Sequence, residues 1–282
     1  FFGNLVSFGG SGVSENAYYV NGYFTGEPLS NLGGFSLPWG AIEQQETFIG
    51  GYSAKYGRSD GGVINQIGKR GTNEWTFGAQ VTYTPKSLRG DAQDLYFPDL
   101  DLPAGYEYTN PDEAGTLYSR GSESTSWSES YNMYVGGPIL KDRLFVFAAA
   151  EWTKGESRAA PNALSTPRLQ DTTTNTPKFY GKLDWNITDN HFVELSYLRE
   201  KTDQDGVFYD YDFETATKGA KQTAVPTPFD QTNEYWIAKY TGYLTDNLTF
   251  SATYGQADLE KRQINPSIVP GLPFLGSITL QD

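Results

Sequence analysis

The sequence predicts a membrane all-β protein built on an antiparallel transmembrane β-barrel. Three observations carry that prediction. Several segments alternate apolar and polar residues with period two, ionisable side chains inside those segments keep to the polar face, and the connections between them alternate between short and long. In a strand, successive side chains point to opposite sides, so alternation gives one apolar and one polar face. A strand crossing an outer membrane shows lipid only one face, so a mean hydropathy of −0.53 is compatible with it.

In residues 75–83, Trp75, Phe77, Ala79, Val81 and Tyr83 share one face, and Thr76, Gly78, Gln80 and Thr82 the other. Residues 127–135 and 144–152 follow as strands with weaker alternation. In 179–187, Phe179, Gly181, Leu183, Trp185 and Ile187 oppose Tyr180, Lys182, Asp184 and Asn186. In 191–197, Val193, Leu195 and Tyr197 oppose Phe192, Glu194 and Ser196. Trp236, Ala238, Tyr240, Gly242 and Leu244 oppose Ile237, Lys239, Thr241 and Tyr243. Leu248, Phe250, Ala252 and Tyr254 oppose Thr249, Ser251 and Thr253.

The charges place lipid on the first-named face. Lys182, Asp184, Glu194 and Lys239 all lie on the other, and a Lys or Arg facing mid-bilayer costs roughly 2–4 kcal/mol. Tight turns are expected at Gly136 through Asp142, at Thr188-Asp189-Asn190 and at Thr245-Asp246-Asn247, where Asp, Asn and Gly tolerate left-handed backbone. Residues 85–125, 155–176 and 202–230 are expected to be long polar loops. Short turns on one side and long loops on the other match outer-membrane barrels, with the long side outside the cell. Seven strands do not close such a barrel, so the chain reads as a fragment that starts as a mature or truncated product.

Residues 1–72 differ in character, being rich in Gly and lacking regular alternation. Residues 41–65 read AIEQQETFIGGYSAKYGRSDGGVIN and are followed by Gly68-Lys69-Arg70-Gly71-Thr72-Asn73. This resembles the plug-terminating signature of TonB-dependent outer-membrane receptors, and more narrowly their Oar-like (carboxypeptidase-regulatory-like) subgroup. Tyr18-Tyr19-Val20-Asn21-Gly22 is similar to an upstream plug segment. Gly136-Gly137-Pro138-Ile139 with Lys141-Asp142-Arg143-Leu144-Phe145 resembles the subgroup's first periplasmic turn, and 177–190 resembles a later hairpin.

The resemblance implies a barrel of ~22 strands whose lumen is blocked by a plug. Residues 1–72 would be the C-terminal part of an α+β plug domain, and 73–282 the N-terminal part of the barrel, about seven strands with long extracellular loops. It implies TonB-dependent active transport across the bacterial outer membrane, by import or export, with the plug facing the periplasm. A passive porin or a surface adhesin without energy coupling is the alternative. Implied partners are outer-membrane lipid, the TonB complex through a segment outside this chain, a surface lipoprotein, and an extracellular substrate of peptide or protein size. Glu43, Glu46, Gly50, Gly51, Tyr56, Gly57, Arg58, Gly61 and Gly62 carry the signature, either as plug-fold residues or as a latch whose charges pair with the barrel wall. Tyr96, Tyr106, Tyr108, Phe208, Tyr209 and Tyr211 are candidate substrate contacts in the long loops, where packing within the loop is the simpler explanation of them.

Other chemistry is poorly supported. A net charge of −13 argues against a nucleic-acid partner. There is no Cys for a thiolate site, and the single histidine, His191, sits beside a tight turn, away from any triad or metal pattern. Residues 62–69 miss the spacing of a phosphate loop, and Arg70 stands where its Ser/Thr belongs. Asp91, Asp94, Asp99 and Asp101, then Asp203, Asp205, Asp210 and Asp212, are dense enough to consider calcium, but the ligand spacing favours solvated charge. No catalytic, cofactor or metal residue is assigned, and an enzyme is not expected.

Overall fold

The computed structural model describes residues 6–28, 31–57, 59–99, 114–159, 162–163, 168–221 and 229–263. The N-terminal part forms a small sheet of β1 (Ala17–Val20), β2 (Tyr23–Phe24), β3 (Ile42–Phe48) and β4 (Val63–Gly68), ordered β2-β1-β4-β3. β1 and β4 are parallel and the other pairs antiparallel. Asn21 and Gly22 join β1 to β2 with φ of 52° and 80°, the left-handed pair that a two-residue hairpin of this twist requires. Single 3-10 turns, Val13–Glu15 and Trp39–Ala41, complete this domain among the described residues.

The rest of the chain builds one large antiparallel sheet. β5 (Thr76–Thr84) is separated by the small hairpin β6 (Leu95–Tyr96) and β7 (Leu117–Ser119) from β8 (Thr125–Leu140). Then follow β9 (Leu144–Ala159), β10 (Arg168–Thr188), β11 (His191–Asp212), β12 (Thr217–Lys221), β13 (Phe229–Thr245) and β14 (Leu248–Gln263). The order is β5-β8-β9-β10-β11-β13-β14, with β12 added along the far end of β11. All seven segments that alternate in the sequence are strands.

The strands outrun the alternation. β10 and β11 reach 21 and 22 residues, so much of 155–176 and 202–230, expected as loop, is paired ladder. Phe208, Tyr209 and Tyr211 accordingly stand on β11 and not in a loop. Backbone pairing persists there because each strand has a neighbour to satisfy its amides and carbonyls. The periodicity fades because both faces become polar. The first tight turn is also shorter than expected: β8 continues through Gly136 to Leu140, leaving Lys141, Asp142 and Arg143, with Asp142 at φ 64°.

Register sorts the two faces. Phe77, Val135, Tyr197 and Trp236 point outward, and Phe77 is 82% exposed. Phe147, Tyr180, Leu198 and Ile237 point inward and are buried. One outward ring per strand forms an oblique line across the sheet: Tyr83, Tyr131, Trp152, Phe179, Tyr197, Trp236 and Tyr254. A cross-strand row joins Tyr83, Glu129, Lys154, Asn175, Asp203, Asp230 and Arg262. The rings fall progressively below that row, until Tyr254 lies eight residues below it on β14. Eight residues at roughly 3.3 Å each, across six strand spacings of about 4.8 Å, give a slope of about 43°. Strands tilted by roughly 35–45° put such a line of rings level with a membrane surface. Neighbouring rings touch along it, with centroids 4.3 Å apart for Tyr197 and Trp236 and 6.0 Å for Tyr131 and Trp152.

Above the belt, the connection between β5 and β8 covers part of the outward side. Arg120 donates from Nε and Nη2 to the carbonyls of Phe213 and Glu214 (2.8 and 2.9 Å), and Leu169 and Tyr211 are buried.

Candidate functional site

The small domain is seated on the inward face of the large sheet, and this seat is the candidate site. Its apolar part is made by Val20, Phe35, Leu37 and Ala41 from the small domain, against Phe147, Ala149, Tyr180, Leu198, Tyr235 and Ile237 from the wall. Leu198 and Ile237 break the polar pattern of the inward face at the places the small domain covers. Full burial of side chains of this size contributes ~1.5–3 kcal/mol each.

Polar contacts frame this patch. The turn after β1 aims Asn21 at the wall, where Nδ2 donates to Tyr180 Oη (3.1 Å) and Ser196 Oγ (3.2 Å). Its Oδ1 accepts from the Gly68 amide (2.9 Å), so one side chain ties β4 to both wall strands. The 3-10 turn at Trp39–Ala41 presents free amides, as helical N-termini do. Trp39 N donates to Glu151 Oε2 (2.9 Å) and Gly40 N to Asn132 Oδ1 (3.1 Å). Asn132 Nδ2 donates to the same Glu151 oxygen (2.6 Å) and fixes it. Higher up, Lys178 Nζ donates to Ser36 Oγ (2.8 Å) and pairs with Glu200 (3.2 Å), and the Tyr235 hydroxyl donates to the Thr25 carbonyl (3.1 Å).

A charged network lies on the wall close by. Lys182 Nζ bridges Asp184 (3.3 Å) and Glu194 (2.8 Å), and Lys239 reaches Glu194 (3.1 Å). Lys182 and Asp184 are buried, and Asp184 Oδ2 has no hydrogen-bond partner among the described residues. A buried carboxylate depends on such a counter-charge, because desolvation costs several kcal/mol per ion.

The signature residues sit mainly away from this seat. Tyr56 is buried against Tyr19 (centroids 5.1 Å) and Phe48 (5.5 Å) in a second cluster with Ala17 and Val63. Glu46 accepts from Asn65 Nδ2 (3.0 Å) and the Tyr56 hydroxyl (3.5 Å), bonds internal to the small domain. Glu43 is exposed on β3. The Gly57 carbonyl accepts from Tyr19 Oη (2.7 Å), Gly61 N donates to the Glu15 carbonyl (3.1 Å), and Gly62 N to Asn16 Oδ1 (2.8 Å). Gly50 and Gly51 are exposed, Gly51 with φ 66°. Arg58 lies outside the described residues.

Of the candidate contact aromatics, Tyr96 is exposed on β6. Phe208 lies under the Arg168 guanidinium (4.4 Å), Tyr209 under Lys218 Nζ (3.4 Å), and Tyr211 is buried. Tyr106 and Tyr108 lie outside the described residues. Sequence reasoning missed Asn21, Ser36, Trp39, Gly40, Asn132 and Glu151 as wall contacts. The available signal was Leu198 and Ile237, apolar side chains that share a strand face with Glu194 and Ser196 on β11 and with Lys239 and Thr241 on β13.

No family model matches the chain. Over 161 residues, 56% of its length, it is 30% identical to the TonB-dependent transporter Oar of Myxococcus xanthus, and that stretch spans 14% of the relative. Among solved structures, it aligns with the siderophore receptor PiuA from Acinetobacter baumannii at 13% identity and TM-score 0.33, covering 88% of this chain and 54% of that one. It aligns with the copper transporter OprC at 9% identity and TM-score 0.33, covering 88% and 51%. The chain therefore resembles, by an extended alignment as well as by its own motifs, the TonB-dependent outer-membrane receptors of the Oar-like subgroup.

Proposed function

We propose that the chain is part of an active transporter of the bacterial outer membrane. Residues 1–72 act as the C-terminal part of a plug, and residues 73–282 as the N-terminal part of a barrel of ~22 strands. The observation that carries this reading is the two-sided sheet: an apolar outward surface with a tilted ring belt, and an inward surface on which a small domain is seated. The seat suits a part that leaves and returns. Asn21, Ser36 and the Trp39 and Gly40 amides make hydrogen bonds to the wall that water replaces at modest net cost.

Long loops face outside and the plug faces the periplasm. Coupling to TonB runs through a segment of the whole protein outside this chain, and a substrate of peptide or protein size enters or leaves past the displaced plug. A surface lipoprotein is a further partner of this arrangement. Glu43, Glu46 and the glycines of the signature serve the plug's internal fold in this reading. Tyr96 and the other upper aromatics serve the mouth.

The test needs no known substrate. In the full-length protein, Ser196→Cys places a thiol under the seat, where Ser196 is 5% exposed. In energised cells, a polar maleimide added to the periplasm labels it faster by at least ten-fold when TonB is present. Equal labelling with and without TonB favours a passive porin or adhesin and contradicts active transport.

A further inference from the structure

Resting on the transport reading, we propose that the wall above the plug binds an uncharged, extended peptide segment through a surface of hydroxyl and amide side chains. The observation is a sorting of polar residues into two kinds. Above the ring belt, the inward ranks of β8 to β13 carry Ser128, Ser130, Thr153, Thr174, Thr202 and Gln231. The outward ranks at the same height carry Lys154, Glu156, Arg158, Asp171, Lys201 and Asp203.

The two ranks also bond differently. Outward, charges pair with one another: Arg158 with Asp171 (2.6 Å) and Lys201 with Asp203 (2.7 Å). Inward, neutral groups touch: Thr153 Oγ1 donates to Ser130 Oγ (3.0 Å), Gln204 Nε2 to Thr174 Oγ1 (3.4 Å), and Thr176 and Thr202 hydroxyls lie 3.4 Å apart. All of these inward groups remain partly accessible.

Contact with water alone does not explain this sorting. The same strands place Lys182, Asp184, Glu194 and Lys239 inward lower down, so the inward face accepts charge. The neutral zone is bounded below by the Lys178–Glu200 pair, above by Arg168, and at its side by Lys261, which stands opposite Gln231 on β14. A wall without fixed charge neither attracts nor repels ions, and it discriminates by hydrogen bonding.

Each hydroxyl offers a donor and acceptors, matching the one donor and one acceptor of every peptide unit. A sugar chain would want bare ring faces as well. The inward rings at the top of the described wall, Phe208 and Phe229, are covered by Arg168 (4.4 Å) and Lys261 (5.6 Å), and Tyr235 is buried under the plug. Peptide is therefore the occupant the wall favours.

The experiment measures binding to the full-length protein in detergent, where no TonB is needed, so its failure leaves the transport reading standing. The probes are a fluorescent, end-capped decapeptide of Gly, Ser, Asn and Gln, its analogues with three Asp or three Lys, and a neutral maltodextrin. The neutral peptide is expected to bind at least ten-fold tighter than either charged analogue and than the maltodextrin. Thr174→Asp combined with Thr202→Asp should weaken it at least ten-fold, while Thr173→Asp, on the exposed outward rank, leaves it unchanged. Resistance to unfolding in sodium dodecyl sulfate checks that the variants are folded. Equal or tighter binding of a charged peptide, preference for the maltodextrin, an equal effect of Thr173→Asp, or no binding of the neutral peptide would each overturn the proposal.

Discussion

A Cβ built on Gly68 would stand 2.2 Å from the hydroxyl oxygen of Tyr180, so the end of β4 meets the middle of β10 with no room for a side chain. Tyr180 is wholly buried and held by Asn21, which leaves its ring no easy retreat. The spacing of the small domain from the wall is fixed at this contact.

Gly68→Ala is therefore expected to loosen the seat. Overpacking of this kind costs about 1–3 kcal/mol, which corresponds to roughly a 5- to 150-fold rise in local opening. Hydrogen exchange of the β1 and β4 amides reads it directly. Gly50→Ala is the control, because a Cβ there meets nothing within 4 Å. Equal exchange in the two variants would mean that Gly68 does not set the spacing.

Lys182 holds two carboxylates at once, Asp184 and Glu194. Lys182→Met removes the charge but keeps most of the volume. Breaking a buried pair costs roughly 3–5 kcal/mol because it strands the partner charge. The thermal midpoint of unfolding should fall, and adding Asp184→Asn and Glu194→Gln should recover more than half of the loss. A midpoint unchanged by Lys182→Met would show that the network contributes nothing to stability.

Above the belt, hydrogen bonds from Arg158 hold the Asp171 carboxyl below its usual pKa, aided by Lys218. A native pKa lower than the unfolded one contributes stability that is complete above the unfolded value, near ~4. That stability is lost as pH falls through the lower native pKa. Protease resistance of the upper ends of β9, β10 and β12 should be flat from neutral pH down to ~5 and decline below ~4. Asp171→Asn should lower the resistance at neutral pH and remove that step. A step that persists in Asp171→Asn would assign it to another carboxylate.

The membrane half of each strand was legible because it contrasts apolar with polar residues: Trp75 to Tyr83 and Phe179 to Ile187 read as alternation without help. The upper halves were not, because Thr172, Thr173, Thr174 and Asn175 are all polar, and a hydrophobicity pattern cannot separate neutral from charged sides. Tyr209 and Tyr211 were consequently expected in a loop. The seat was hidden for another reason. Asn21 and Tyr180 are 159 residues apart, and nothing local to either marks the other. Ile237 and Leu198 were visible as exceptions to their faces, and the structure explains both by the domain that covers them. The glycine-rich signature carries the family resemblance, yet its residues mostly pack within the small domain, while the wall contacts come from Asn21, Ser36 and the turn at Trp39.

In the transport reading, one side of the sheet meets lipid while the other meets water and the seated domain. Spin labels at Leu195, outward and 43% exposed, and at Thr174, on the inward neutral rank, test it in the full-length protein in bilayers. Collision with oxygen, which concentrates in lipid, and with a polar nickel chelate reports the surroundings of each label. Oxygen is expected to dominate at Leu195 and the nickel chelate at Thr174. Nickel dominance at Leu195, or oxygen dominance at Thr174, would contradict it.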